Sequence, residues 1–207
     1  MKSLEELLQQ SASLHRHLCP RQVLGVRMGM LAGRLLMLDL PQEGKRLLTI
    51  AETDGCAVDG VSVATNCWIG HRTLRVEDFG KIAATFVDTE SERTFRIVPE
   101  RGIRERALSF APEGRNRWER QLVGYQMMPD ELLLRAEEVV LKVSPKALIS
   151  RAGEREECSR CGEEVMNERW LIRETALLCR GCAGERYYQS GPAPEAALGR
   201  CVPAGKP

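Results

Sequence analysis

Two Cys-x2-Cys pairs, Cys158/Cys161 and Cys179/Cys182, stand seventeen residues apart, and nothing else in the sequence limits its fold so tightly. Two residues between thiolates let a tight knuckle present both sulfurs to one edge of a metal ion. A second knuckle supplies the opposite edge and closes a tetrahedron with Zn–S of about 2.3 Å. The separation falls inside the spacing of four-cysteine zinc sites, whereas redox Cys-x2-Cys motifs rarely come as two matched pairs. Gly162 and Gly181 stand where the knuckles turn. A unit of about thirty residues holds little core, so the metal supplies much of its folding free energy. Four thiolates leave no coordination position open for a substrate, which makes the zinc structural. Between Cys158 and Tyr188 five arginines meet five glutamates. Duplex nucleic acid finds no local attraction there, and a protein-docking or dimer-building role suits the module better than nucleic-acid binding.

The remaining sequence divides accordingly: a core domain over 1–150, a zinc ribbon over 151–188 and a disordered tail over 189–207, rich in Pro, Gly and Ala and holding an isolated Cys201. With 207 residues, 43% hydrophobic and 29% charged, and a net charge of +1, the composition is that of a globular protein with no overall pull toward nucleic acid or an anionic membrane. No apolar run is long enough to span a bilayer. The opening MKSLEELLQQ is acidic and amphipathic rather than a signal peptide. A cytoplasmic protein with reduced thiols is expected, in which clustered cysteines hold metal more often than they form disulfides.

Ser3 and Glu6 have capping-box spacing, and Leu4, Leu7, Leu8 and Leu14 share a face, so a first helix runs to about Leu18. Pro20 opens a second helix, to about Leu38. Gly25, Gly29 and Gly33 line one side of it; glycine costs up to about 1 kcal/mol in a helix interior, so the stripe predicts close approach of another backbone. Strands are expected at Arg46–Glu52, Thr73–Glu77, Lys81–Asp88 and Arg93–Val98, with turns at 78–80 and 88–91. A helix is expected at Cys56–Thr65, helices again over 100–138, a further strand at Val139–Val143 and a charged linker at 151–157. Eight arginines against four glutamates between Arg93 and Arg120 read as a solvated cationic face. The fold class is α+β: helices packed on a mainly antiparallel sheet, followed by the small four-cysteine zinc-ribbon domain.

All three histidines, and every cysteine outside the ribbon and tail, fall in two short stretches: His15, His17 and Cys19, then Cys56, Asp59, Cys67 and His71. Brought together, such a set accepts zinc or iron. It could equally do dithiol chemistry between Cys19 and Cys56 or Cys67, given alpha carbons within about 7 Å. The plain alternative is a set of buried core thiols, a helix-capping Asp59 and a loop His71. His15 and His17 are two apart, so only one faces inward.

The run His15-Arg16-His17-Leu18-Cys19-Pro20, then Gly25-Val26-Arg27, resembles the HGHxCPG…GxR opening of the formylmethanofuran dehydrogenase E-subunit (FmdE) family. Cys56-x2-Asp59…Asn66-Cys67-Trp68-Ile69-Gly70 and Asp78-Phe79-Gly80-Lys81-Ile82-Ala83 resemble its second signature, and Cys158–Cys182 resembles the zinc ribbon often fused to it. The resemblance implies an α+β core, a metal-capable pocket built from His17, Cys19, Cys56 and Asp59, and a homodimer. It also implies an accessory role beside molybdenum or tungsten oxidoreductases of one-carbon or formate metabolism, without the molybdenum centre itself. Arg16 and Arg21 stand where the family tends to have glycine, and His71 where lysine is common. A stand-alone metal- or thiol-dependent enzyme acting on a small anion is the alternative, for which Arg16, Arg21 and His71 would suit.

Overall fold

Ser3 caps the first helix as its spacing predicts: the Glu6 amide donates to Ser3 Oγ at 3.2 Å and the Ser3 amide to Glu6 Oε2 at 2.7 Å. The computed structural model describes residues 2–113, 116–149 and 153–189; Cys201 and all of the expected tail but Gln189 lie outside them. The chain forms two compact units, 1–149 and 150–207.

Helix α1 spans Leu4–His15 and α2 spans Pro20–Leu36. α1 ends three residues earlier than expected because Arg16 turns left-handed (φ 66°). The corner that follows is fixed by Gln22, whose side chain accepts from the Cys19 amide at 2.8 Å and donates to the carbonyl and hydroxyl of Ser11, each at 2.9 Å. Helix α3 spans Cys56–Thr65, the range its sequence predicts. At Gly25 and Gly60 it meets α2 backbone to backbone. A Cβ on Gly25 would stand 2.0 Å from the Ala57 carbonyl oxygen, and one on Gly60 2.3 Å from that of Gln22. Gly29 meets Ala64 in the same seam, whereas Gly33 faces Leu38 and Leu40 instead.

The sheet has the order β2-β1-β3-β4-β5, with β1 at Leu47–Ala51, β2 at Leu74–Val76, β3 at Ala84–Asp88, β4 at Thr94–Pro99 and β5 at Leu134–Glu138. The β1–β2 pair is parallel, joined by the α3 crossover, and the other pairs are antiparallel. Residues 78–80 are therefore no hairpin turn; β3 and β4 do form a hairpin, around Asp88. One face of the sheet and the α1–α2–α3 layer enclose a core that includes Leu47, Phe86, Ile97, Val26 and Val61.

Between β4 and β5 come α4 (Ile103–Arg106), a 3-10 turn (Ala107–Phe110), α5 (Arg117–Met127) and α6 (Asp130–Leu133). The further strand is thus Leu134–Glu138, not Val139–Val143. Its sequence, LRAEE, is made of helix formers, and pairing with β4 overrides that preference. A short α7 (Pro145–Ile149) follows and is tied to β2: Arg75 donates to the Leu148 carbonyl and Arg72 to that of Ile149.

The second unit holds two hairpins, β6 (Arg155–Glu157) with β7 (Glu164–Met166) and β8 (Leu171–Arg173) with β9 (Ala176–Leu178), then a helical turn at Gly181–Glu185. The charged run expected as a linker therefore supplies the first strand of the finger. Gly162 is left-handed (φ 72°), as its knuckle requires, while Gly181 has no positive φ.

Candidate functional site

The corner between α1 and α2 and the opening turn of α3 bring distant residues into contact. His15, last residue of α1, donates from Nδ1 to Asp59 Oδ2 at 2.7 Å. In a neutral ring that bond leaves Nε2 free to accept, and the Cys56 thiol lies 3.3 Å from it. Cys56 and Asp59 share one face of the first turn of α3. Burial pushes the Cys56 thiol up; the Cys19 thiol, hydrogen-bonded to it, pushes it further, and the Arg21 guanidinium pulls the other way. Carboxylate, imidazole and two thiols thus form a continuous chain, Asp59–His15–Cys56–Cys19.

The histidine choice left open by the sequence falls on His15. His17 is exposed, its ring 4.7 Å from that of His15 and tilted by 54°, so it flanks the chain where the resemblance places it inside. Left-handed Arg16 turns the backbone between the two and separates them. Cys67 is not part of the set. It follows the far end of α3, whose ten residues rise about 15 Å. There it is fully buried, accepting from Gln42 Nε2 at 3.3 Å and donating to the Leu47 carbonyl at 3.4 Å, and burial pushes its thiol up. A thiol pair in the core is accordingly Cys19 with Cys56. His71 is exposed in the turn before β2.

The two thiols open onto a cavity of about 520 Å³ lined also by Arg21, Leu24, Ile82, Arg104, Arg117, Trp118, Gln121 and Tyr125. A neighbouring cavity of about 650 Å³ shares Arg21, Leu24, Ile82, Arg104 and Tyr125. Buried Arg27 sets the position of α5 against α2: it donates to the carbonyls of Tyr125, Gln126 and Met128 at 2.9, 3.1 and 2.7 Å and to Asp130 Oδ1 at 2.6 Å. Sequence reasoning missed Arg104, Arg117, Trp118, Gln121 and Tyr125. The arginine excess over 93–120 is their one signal, and by composition alone it reads as a solvated face.

In the finger, one ligand atom each from Cys158, Cys161, Cys179 and Cys182 lie within 4.8 Å of one another, the one such cluster among the described residues. Cys161 Sγ and Cys179 Sγ are 3.9 Å apart, against the edge of about 3.8 Å that follows from tetrahedral Zn–S bonds. Backbone amides point at the sulfurs, Cys179 N to Cys158 Sγ and Cys182 N to Cys179 Sγ, both at 3.3 Å. The amides of Cys179 and Cys161 hold the Cys158 thiol down at about 6. The Glu163 amide acts the same way on Cys161, but burial and the neighbouring thiols push that group up to about 12. Donor set, spacing and amide support all fit zinc. The core set differs, because Asp59 and Cys56 bind opposite edges of the His15 ring and cannot meet at one ion with it.

Residues 14–142 match the family described as "FmdE, Molybdenum formylmethanofuran dehydrogenase operon", and residues 153–188 match the prokaryotic dksA/traR C4-type zinc finger. The chain is 30% identical over 212 aligned positions to a probable S-adenosyl-L-methionine-binding protein of Archaeoglobus fulgidus, covering 91% of this chain. It spans about half the length of that relative, 55%. The crystal structure of a tungsten formylmethanofuran dehydrogenase FmdE-like protein from Syntrophus aciditrophicus shares the fold, with a TM-score of 0.57 and 24% identity over 91% of this chain and 96% of that one. With well over half its length matched, the chain belongs to the FmdE family, and a C4 zinc finger follows its FmdE domain.

Proposed function

We propose that this protein is a metal-binding accessory of a molybdenum or tungsten oxidoreductase of one-carbon or formate metabolism, working as a homodimer and holding zinc or iron in its core. The observation that carries the core site is the Asp59–His15–Cys56 chain with Cys19 beside it. Ligands at metal–nitrogen and metal–sulfur lengths of about 2.0 and 2.3 Å subtend a tetrahedral edge of about 3.5 Å, and His15 Nε2 and Cys56 Sγ are 3.3 Å apart. His15 and Cys56 are then ligands, and Cys19, hydrogen-bonded to Cys56, joins them by turning onto the ion. Asp59 orients the imidazole from behind, as carboxylates commonly do for metal-bound histidines. The link to molybdenum and tungsten enzymes draws on the name of the family and on that of its tungsten-associated structural neighbour.

Elemental analysis tests the site. Two metals per chain are expected, one of them in the finger, and Cys56→Ser lowers the count by one; an unchanged count sinks the core metal. Asp59→Asn weakens core binding about ten- to a hundred-fold in chelator competition. Affinity capture from a cell that makes such an oxidoreductase recovers it, and sedimentation of the purified chain gives twice the monomer mass.

A second reading is favoured by Arg21 and Arg104 in the thiol cavity: a metal- or thiol-dependent enzyme acting on a small anion. The ligand named for the archaeal relative, S-adenosyl-L-methionine, carries a carboxylate that these guanidinium groups would accept and a sulfonium that they would repel.

A further inference from the structure

We propose that the cavity beside Cys56 binds an organic anion, its charged group held between Arg21 and Arg104 and hydrogen-bonded by the Tyr125 hydroxyl, its body against Trp118. This rests on the reading of the core cavity as the working site, and not on a metal being bound in it.

The cavity, about 520 Å³, has the size of a small-molecule site. Among the described residues three arginines line it and no carboxylate does. Arg117 is answered by an ion pair with Glu105. The side chains of Arg21 and Arg104 have neither a hydrogen bond nor an ion pair among the described residues. Their charges reach the cavity groups nonetheless: Arg21 acts on the Cys56 thiol and Arg104 on the Tyr125 hydroxyl. Tyr125 is only 3% exposed and lines both adjoining cavities. Its hydroxyl has no partner among the described residues. The hydroxyl is not among the side-chain atoms sealed from solvent without a partner; it is open to the cavity, where it can donate to an oxyanion oxygen. The helix ends add to the same field. Cys19 to Arg21 open α2, Cys56 opens α3, and Arg117 and Trp118 open α5, so the positive ends of three helix dipoles border the space. No side chain caps the start of α3.

Paired guanidinium groups accept carboxylate and phosphate alike. The test therefore titrates the full-length chain calorimetrically at low salt with benzoate, phenyl phosphate and, as a neutral match in shape, benzamide. At least one of the two anions binds at one site per chain, more weakly as salt rises, and benzamide does not. Tighter phenyl phosphate assigns the phosphate class, tighter benzoate the carboxylate class. Arg21→Gln and Arg104→Gln each weaken binding about ten-fold, and Tyr125→Phe, which keeps the buried ring, about three- to ten-fold. Absence of saturable binding of both anions to folded protein overturns the proposal. So does benzamide binding as tightly as the anions, or unchanged affinity in both arginine variants. Metal counted on the same samples separates the two readings: one metal per chain sinks the core metal and leaves the anion result standing, whereas failed anion binding at two metals per chain sinks the anion site alone.

Discussion

Replacing Gly25 by alanine tests the seam on which the core site is built. The new Cβ would stand 2.0 Å from the Ala57 carbonyl oxygen and 2.9 Å from the Val61 amide nitrogen. Both are backbone atoms inside α3 and neither can swing away. Restoring an ordinary contact requires the two helices to part locally by roughly 1 Å, which opens packing along the whole α2–α3 contact. Overpacking of this kind costs about 1–3 kcal/mol, and a rigid obstacle places it near the top of that range. Alanine returns up to about 1 kcal/mol by removing a glycine from a helix interior. The net loss is about 2 kcal/mol, or a fall in melting temperature of about 4–8 °C for a unit of this length. The same helix supplies a graded series. At Gly29 the obstacle is the Ala64 Cβ at 2.6 Å, and at Gly33 the nearest atoms are the Leu38 carbonyl and the movable tip of Leu40, both at 3.2 Å. Thermal and urea melts followed by helical circular dichroism should rank the variants Gly25→Ala, Gly29→Ala, Gly33→Ala from most to least destabilised. Gly25→Ala melting at or above the wild-type temperature refutes the close approach.

Three further outcomes are expected. Arg27→Met strips the donors from three carbonyls and from Asp130, and costs about 3–5 kcal/mol in urea unfolding. Asp88 is held well below the carboxylate range, chiefly by its bond to Arg46 and also by Ser91 and the Glu90 amide. A depressed folded-state value means the stabilisation is complete above the unfolded value of about 3.9 and is lost as pH falls through the folded one. The unfolding free energy of Asp88→Asn accordingly falls less than that of wild type between about pH 5 and pH 2. Removing zinc from the finger with a chelator abolishes amide protection over 155–178 while leaving that of α2 and β3 in place; protection that survives in the finger counts against a metal-dependent fold.

Short-range chemistry was legible in the sequence. The Cys-x2-Cys spacing located the finger, Ser3 and Glu6 the first cap, and the turn before Cys56 the start of α3. The stripe of Gly25, Gly29 and Gly33 announced close packing, which the first two meet against α3, whereas Gly33 faces Leu38 and Leu40. Three things depended on long-range contacts and stayed hidden. β5 is a strand only because β4 offers it hydrogen bonds; its own residues favour helix. Whether His15 or His17 turns inward is decided by one left-handed residue, Arg16, a conformation that arginine rarely adopts. Cys67 shares a sequence signature with Cys56, yet a ten-residue helix carries it away. The cavity wall from Arg104 to Tyr125 lies far along the chain from both cysteines. Its arginines resemble an ordinary wet surface until the fold closes it over the thiols.

β5 ends the sheet with a mostly solvated strand bearing Arg135, Glu137 and Glu138. A strand added along that border by a second molecule would strip water from these charges without supplying matched partners for all of them. The border therefore repels growth of the sheet from one molecule into the next. Self-association of this protein has to avoid this border, and concentrated solutions should stay free of fibres seeded at this strand.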